Sequence, residues 1–376
     1  MPELRRQPEA PRPEGERLPE REIDTELRRA EIYELKGALF EGAAATLASR
    51  DHAERNEDSF GHYPEVDIEA VFDGVGGHLA GEVASQFARD RLLHHYEHAR
   101  TLVEAMNAEG QRDAWQHVIE GNSMIGAQEI QPSASKGGAS DPQLETRSEA
   151  SRARLKKIRE KTVQTLTEYF EDLNPPPSVK QEAAVLYLGL RNLSEEIRDE
   201  GKRRDKRGMA STATGVKLIR TPDGHRFGIF WSVGDSDAFL ERAGTGEVVR
   251  AVKNDNMLDG LVERQSVTRE QAEHFADDPF LRRARFNLVS QALGMEDDPT
   301  PRIMIYELEP GDRFLLATDG LGDNDLEGRF TTTLVQKQGG SWMRRAEAVT
   351  RSAVRGIAQS EGKGWDDITV VTGEVK

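Results

Sequence analysis

Hydrophobic spacing changes period several times along the chain. Ile68, Ala70 and Phe72 occupy alternate positions in a run that ends at Asp73-Gly74, which predicts a strand closing on a turn. A small-residue run over Gly42–Ser49 predicts an earlier strand. After Gly81 the period lengthens: Ala84, Phe87, Ala88, Leu92 and Tyr96 share one helical face. Helical spacing recurs at Leu155, Ile158, Thr162 and Leu166, and again at Leu186, Leu190, Leu193 and Ile197. These runs are broken by a Ser/Gly/Pro-rich stretch at Gln131–Pro142 and by Pro175–Pro177. Strand-like runs return at Ser211–Ile219, Phe227–Val233, Val248–Val252, Ile303–Leu308, Arg313–Thr318 and Ile368–Val375. Before the last of them, Val349, Ala353 and Ile357 mark one side of a helix. Many β segments with few alternating helices predict an α+β fold, an antiparallel β-sandwich flanked by helices rather than a doubly wound parallel sheet.

Composition narrows the chemistry. The 376 residues are 36% hydrophobic and 31% charged, the balance of a water-soluble globular chain. A net charge of -16 argues against a general binder of nucleic acid or anionic membrane. There is no cysteine, so disulfides and thiolate metal sites are excluded. Any metal must be held by carboxylates, carbonyls, waters or histidines, a donor set that favours magnesium or manganese. Residues 1–22 are rich in Pro, Glu and Arg and predict a disordered arm ahead of one large domain over 23–376. No segment is long and apolar enough to span a bilayer, and cytoplasmic residence is the expectation.

Three strand-like segments end at an aspartate beside glycine: Phe72-Asp73-Gly74, Val233-Gly234-Asp235-Ser236 and Thr318-Asp319-Gly320. Two further acidic pairs are Glu57-Asp58, ahead of the first of these segments, and Asp366-Asp367, immediately before the final predicted strand. Singly, each is turn chemistry or an exposed edge. As a set they carry more, because carboxylates at strand ends can meet on one rim, where their repulsion requires cations. Hard cations bridged by an aspartate would hold a water and lower its pKa.

These segments resemble those of metal-dependent protein phosphatases of type 2C, particularly the bacterial branch. The matching runs, in the family's order, begin with Asn56-Glu57-Asp58-Ser59, Val71–His78 with Gly81 and Ala84-Ser85, and Ala210–Ala213. Val233–Ser236, Gln291–Gly294, Leu315–Leu321 and Asp366–Val370 complete them. The resemblance covers about Gly42–Tyr96 and Met209–Lys376. It implies a two-sheet antiparallel sandwich with helices on both outer faces, two Mn2+ or Mg2+ ions, and direct attack of a metal-bound water on phosphoserine or phosphothreonine in a protein substrate. By position it implies Asp73 as the bridging ligand, the Gly74 carbonyl and Asp58 at the same centre, and Asp319 and Asp366 on the opposite ion. Asp235 and Asp323 match an optional, weaker third position.

The chain departs from the pattern at Ala53, where many relatives carry a phosphate-holding arginine; Arg50 and Arg55 are the candidate substitutes, since a guanidinium grips phosphate bidentately. Val75 stands where some relatives have a histidine general acid, and His78 reads as structural. Residues 252–293, with Lys253-Asn254-Asp255, resemble a flap beside the site. Residues 101–207 form a helical insertion that packs on the domain, with a partner or self-association as the sharper alternative. The basic run Lys202–Arg207 reads as solvated surface. A catalytically silent relative, acting through the insertion, is the competing function; retention of Asp73, Asp319 and Asp366 argues against it.

Overall fold

In the computed structural model, residues 20–50, 52–75, 79–108, 174–253, 255, 268, 289–296, 298–322, 341–359 and 366–376 are described. Their strands are β1 (Glu31–Lys36), β2 (Phe40–Leu47), β3 (Asp58–Tyr63), β4 (Ile68–Val75), β5 (Ala210–Ser211), β6 (Ala213–Arg220), β7 (Arg226–Val233), β8 (Asp237–Glu241), β9 (Val248–Val252), β10 (Arg302–Leu308), β11 (Arg313–Ala317) and β12 (Ile368–Val375). The helices are α1 (Glu20–Leu27), α2 (Leu79–Ala108), α3 (Pro177–Arg203), the single turn α4 (Asp319–Gly322) and α5 (Trp342–Gln359). One sheet runs β1-β2-β12-β11-β8-β9 and the other β10-β7-β6-β4-β3, with β5 attached to β4; every strand pairing is antiparallel.

The two-residue period of each strand divides its side chains between two cores. Along β4, Ile68, Ala70 and Phe72 face α2 and α3, whereas Val71 faces the opposite sheet. Along β11, Phe314 and Leu316 enter the gap between the sheets, whereas Leu315 and Ala317 face α1 and α5. Three apolar layers result, one between the sheets and one under each helical layer. This α-β-β-α order is the predicted sandwich, and burial of both sheet faces explains why so many strands read as nearly continuous apolar runs.

The strand predicted over Gly42–Ser49 is β2, which runs two residues earlier, from Phe40 to Leu47. Three strands were not predicted: β1 is an exposed edge (EIYELK), β3 is largely polar (DSFGHY), and β8 has only three consecutive apolar residues, Ala238–Leu240, between charged ones. The predicted arm over 1–22 lies outside the described residues up to position 19, but Glu20 already belongs to α1. Ile23 and Leu27 of that helix are buried against α5, within the predicted domain.

Helix α2 continues through Thr101 to Ala108 without a break, and α3 begins at the proline run, whose missing N–H groups cost nothing in a first turn. Leu186, Leu190, Leu193 and Ile197 of α3 are buried in one core with Ala88, Leu92 and Tyr96 of α2 and with Trp231 of β7. The 155–166 helical pattern and the Gln131–Pro142 break lie outside the described residues. In the basic run, Lys202 pairs with Asp199, and both Arg203 and Arg204 pair with Glu200, all within the end of α3. No described helix is long and apolar enough to cross a membrane.

Because Leu190 is fully buried, Leu190→Ala should destabilise the protein by about 2–5 kcal/mol in urea unfolding. A helix that merely docked a partner would give a change within about 0.5 kcal/mol.

Candidate metal centre

Five of the predicted acidic positions sit at one end of the sandwich, and strand direction puts them there. Asp58 opens β3, directly opposite Asp73 near the end of β4. Asp235 lies between the end of β7 and the start of β8, Asp319 follows β11, and Asp366 precedes β12. Both sheets therefore deliver carboxylates to a common rim. Asp73, Asp235 and Asp319 each offer an oxygen within 4.8 Å of the others. Asp235 is buried, Asp73 and Asp319 keep one side open, and Asp366 is exposed at the mouth.

Hydroxyls and amides fix the rim. The Asp73 N–H donates to Thr212 Oγ1 at 3.0 Å, the Thr212 N–H returns a bond to the Asp73 carbonyl at 2.8 Å, and Thr212 Oγ1 also meets Ser236 Oγ at 2.8 Å. From the opposite sheet, Thr318 Oγ1 donates to Asp58 Oδ2 at 2.7 Å while accepting the Thr369 N–H at 3.0 Å. Asp367 is not a second mouth residue. Its side chain is buried and accepts the N–H groups of Ser49 and Glu57, each at 2.6 Å, which ties β12 to the loop before β3. Alternation along β12 explains the division, since Asp367 shares its face with Thr369 and Val371, toward the other sheet.

The glycines beside the aspartates are sterically required. A Cβ on Gly74 would lie 2.2 Å from the Gly81 carbonyl oxygen, and one on Gly81 would lie 2.6 Å from the Gly74 carbonyl oxygen. The start of α2 thus packs directly against the Gly74 carbonyl. At Gly320 a Cβ would fall 1.9 Å from the Asp367 carbonyl oxygen, so α4 closes on β12 only without a side chain there.

Desolvation pushes the Asp73 carboxyl well above the usual range, and Asp366 and Asp235 add to it, against a hydrogen bond with Asp319. Desolvation likewise raises Asp58, reinforced by Asp73 and Asp367 and opposed by the Thr318 hydroxyl. The strongest charges acting on these two groups are other carboxylates. Left alone, such a cluster resists ionisation. A divalent cation keeps it ionised, and an all-oxygen donor set at one rim fits magnesium or manganese. The residues present therefore fit the ions that the resemblance implies.

The two candidate arginines part company. Arg50 donates from Nε and Nη2 to Glu26 Oε1 of α1, at 3.1 and 2.7 Å, and is committed there. Arg55 pairs with Glu57 at 3.2 Å and lines a cleft of about 680 Å3 together with Asn56, Asp58, Gln86, Arg29 and Arg89. Asp323 and His78 lie outside the described residues, as does most of 252–293. Thr212, Thr318 and the bracing role of Asp367 were not legible as functional; their motifs were visible, but nothing in a threonine or a paired aspartate states which backbone it will hold.

The fold is similar to that of bacterial serine/threonine phosphatases. Residues 277–376 match the family model described as Stage II sporulation protein E. The chain is 30% identical over 172 residues to the serine/threonine protein phosphatase PstP of Mycobacterium tuberculosis, covering 46% of this chain and 28% of the relative. It is 25% identical over 152 residues to a putative protein phosphatase 2C-type of Streptococcus pyogenes, covering 40% of this chain and 56% of the relative. The matches thus span between about a quarter and somewhat over half of these relatives' lengths. Among solved structures, the M. tuberculosis PstP/Ppp phosphatase superposes with a TM-score of 0.52 at 23% identity, covering 90% of this chain and 99% of that one. The phosphatase Stp1 of Staphylococcus aureus gives 0.54 at 16% identity, covering 91% and 97%. These likenesses establish the fold.

Because folding raises the pKa of Asp58 and Asp73, the metal-free protein gains stability as the pH falls below those raised values. In EDTA at neutral pH, Asp73→Asn should therefore be at least as heat-stable as the unaltered protein. Mn2+ at roughly 100 times its Kd should stabilise only the unaltered protein, by about 2.7 kcal/mol. Equal Mn2+ stabilisation of both, read by calorimetry, would contradict the assignment.

Proposed function

We propose that this chain is a phosphoprotein phosphatase that hydrolyses phosphoserine and phosphothreonine with the help of Mn2+ or Mg2+. The observation that carries the reading is the meeting of Asp73, Asp235 and Asp319 at one rim, with oxygens within 4.8 Å of one another and burial that disfavours the bare charge of Asp73. Asp73, Asp319, Asp366, Asp58 and the Gly74 carbonyl hold two ions; Asp235 and Asp323 hold a weaker third. When bound, the ions supply Lewis acidity toward the phosphoryl oxygens and lower the pKa of a coordinated water.

The chain's own residues do the positioning. Asp73 is fixed through its backbone by Thr212, and Asp58 through its carboxylate by Thr318, so neither reorganises as charge develops at phosphorus. Arg55, steered by Glu57 to the wall of the cleft that Asp58 also lines, takes the phosphate oxygens in place of the residue missing at Ala53. The same cleft admits the peptide on either side of the phosphorylated residue. One water is consumed per ester bond, and inorganic phosphate and the free hydroxyl side chain leave. The silent-relative alternative gains nothing from the geometry, because the carboxylates that such a relative would discard are present and mutually oriented. Cytoplasmic residence, the 252–293 flap and a partner for the helical layer remain part of this proposal.

Purified protein should hydrolyse an aryl phosphate and a phosphothreonine peptide only with Mn2+ or Mg2+, and EDTA or Asp319→Asn should abolish turnover. Folded, metal-supplied protein without turnover would refute the reading. Arg55→Ala should raise KM for the peptide by about 10-fold or more, the loss of one charge-assisted contact worth about 1.5–3 kcal/mol. Arg50→Ala should leave KM within about twofold; the reverse ranking would reject Arg55 as the phosphate ligand.

A further inference from the structure

Asp255 is a buried carboxylate that the hydrolytic reading does not use, and its contacts converge on the turn that carries Asp235. Its N–H donates to the Gly234 carbonyl at 2.6 Å, and its Oδ2 accepts the Gly234 N–H at 3.3 Å. Gly234 itself adopts a left-handed φ of 108°. Three other side chains, from two segments, close on the same residue. Arg302, at the start of β10, donates from Nε to Oδ1 at 2.5 Å, and the Gln291 side-chain amide donates to Oδ2. The Asp255 carbonyl accepts Ser290 Oγ at 2.7 Å. Gln291 also clasps Thr300 through both its side-chain oxygen and nitrogen, at 2.9 and 3.1 Å. Next in the chain, Leu293 exchanges two backbone hydrogen bonds with Ser211, the neighbour of Thr212.

We infer that Asp255 is a positioning residue for the Asp235 carboxylate, and that it clamps both ends of the 252–293 segment to the metal rim. Gly234 is held from both its N–H and its carbonyl, so the residue that follows has one backbone orientation. Ser236 then passes that orientation to Thr212 and so to Asp73. Replacing the carboxylate by an amide leaves one acceptor oxygen where two served, so either Arg302 or the pair of Gln291 and Gly234 loses its bond to this side chain and the Gly234 turn loosens. The effect reaches the ion through Asp235, since Asp255 itself points into the protein. This inference rests on the metal reading of the rim, and its test reads the metal directly.

Mn2+ binding is measured by titration calorimetry on the full chain, alongside turnover of the phosphothreonine peptide. Asp255→Asn should weaken the ion held by Asp235 by about 10-fold or more, the usual loss when a carboxylate behind a metal ligand is altered. It should lower kcat at limiting Mn2+ and leave the peptide KM unchanged. Asp235→Asn should show the same loss, and the double variant no further one. Asp312→Asn is the control for mere destabilisation: that equally buried aspartate braces Arg242 and Ala243 at the far end of β11. It should lower Tm without moving the Mn2+ isotherm. An Asp255→Asn isotherm that superimposes on that of the unaltered protein, with Tm lowered as in Asp312→Asn, would overturn the inference while leaving the phosphatase reading intact. Mn2+ binding that depends on Asp255 in a protein without turnover would overturn the phosphatase reading alone. No Mn2+ binding by the unaltered protein would overturn both.

Discussion

Mutual repulsion among carboxylates at one end of the sandwich is the constraint around which the rest of the chain is arranged. Burial alone makes an ionised aspartate costly, and Asp58 and Asp73 face each other across neighbouring strands in the same desolvated space. An apolar core has no use for such a pair. The surrounding structure nevertheless fixes it, with threonine hydroxyls, backbone amides and glycines too tightly packed to accept a methyl group. The fold holds an arrangement of carboxylates that burial makes costly and that a divalent cation would stabilise.

That constraint also explains how the sheets are tied. Apolar side chains fill the gap between them along most of its length, and at the rim polar groups take over. Thr318 reaches from the β11 end to Asp58 of the other sheet, and Asp367 binds the amides of Ser49 and Glu57. The Thr318–Asp58 and Asp367–Glu57 contacts cross between β-layers, so displacement of one sheet against the other would separate the rim aspartates. Rigid packing of α2 and α3 against one sheet, and of α5 against the other, resists that displacement. Packing at Leu190 or Val349 therefore bears on the rim without touching it.

Much of this was legible in the sequence where a steric or periodic requirement leaves a mark. Asp73-Gly74 and Asp319-Gly320 could be read because the close approach of Gly81 and Asp367 admits only glycine. The α2 face could be read because Ala84, Ala88, Leu92 and Tyr96 keep helical spacing under a single core. Strands β1 and β3 could not, since an exposed edge and a polar rim strand carry no apolar alternation. Arginine was the hardest case. Arg50 and Arg55 lie on either side of Ala53 in the chain, and only the placement of Glu26 and Glu57 separates them. Asp255 stood in the sequence as one polar residue in a polar run; its partners at 234, 291 and 302 are brought to it by the fold.

The central claim is that the rim aspartates are a cation site rather than a set of strand-end turns. Anomalous diffraction at the manganese edge, from crystals grown with Mn2+, tests it most directly. The account predicts strong anomalous peaks within about 2.0–2.3 Å of Asp73 and Asp319 oxygens, lengths that suit a hard divalent cation with oxygen ligands. Carboxylates at the rim without any anomalous peak, in crystals of folded protein saturated with Mn2+, would contradict it.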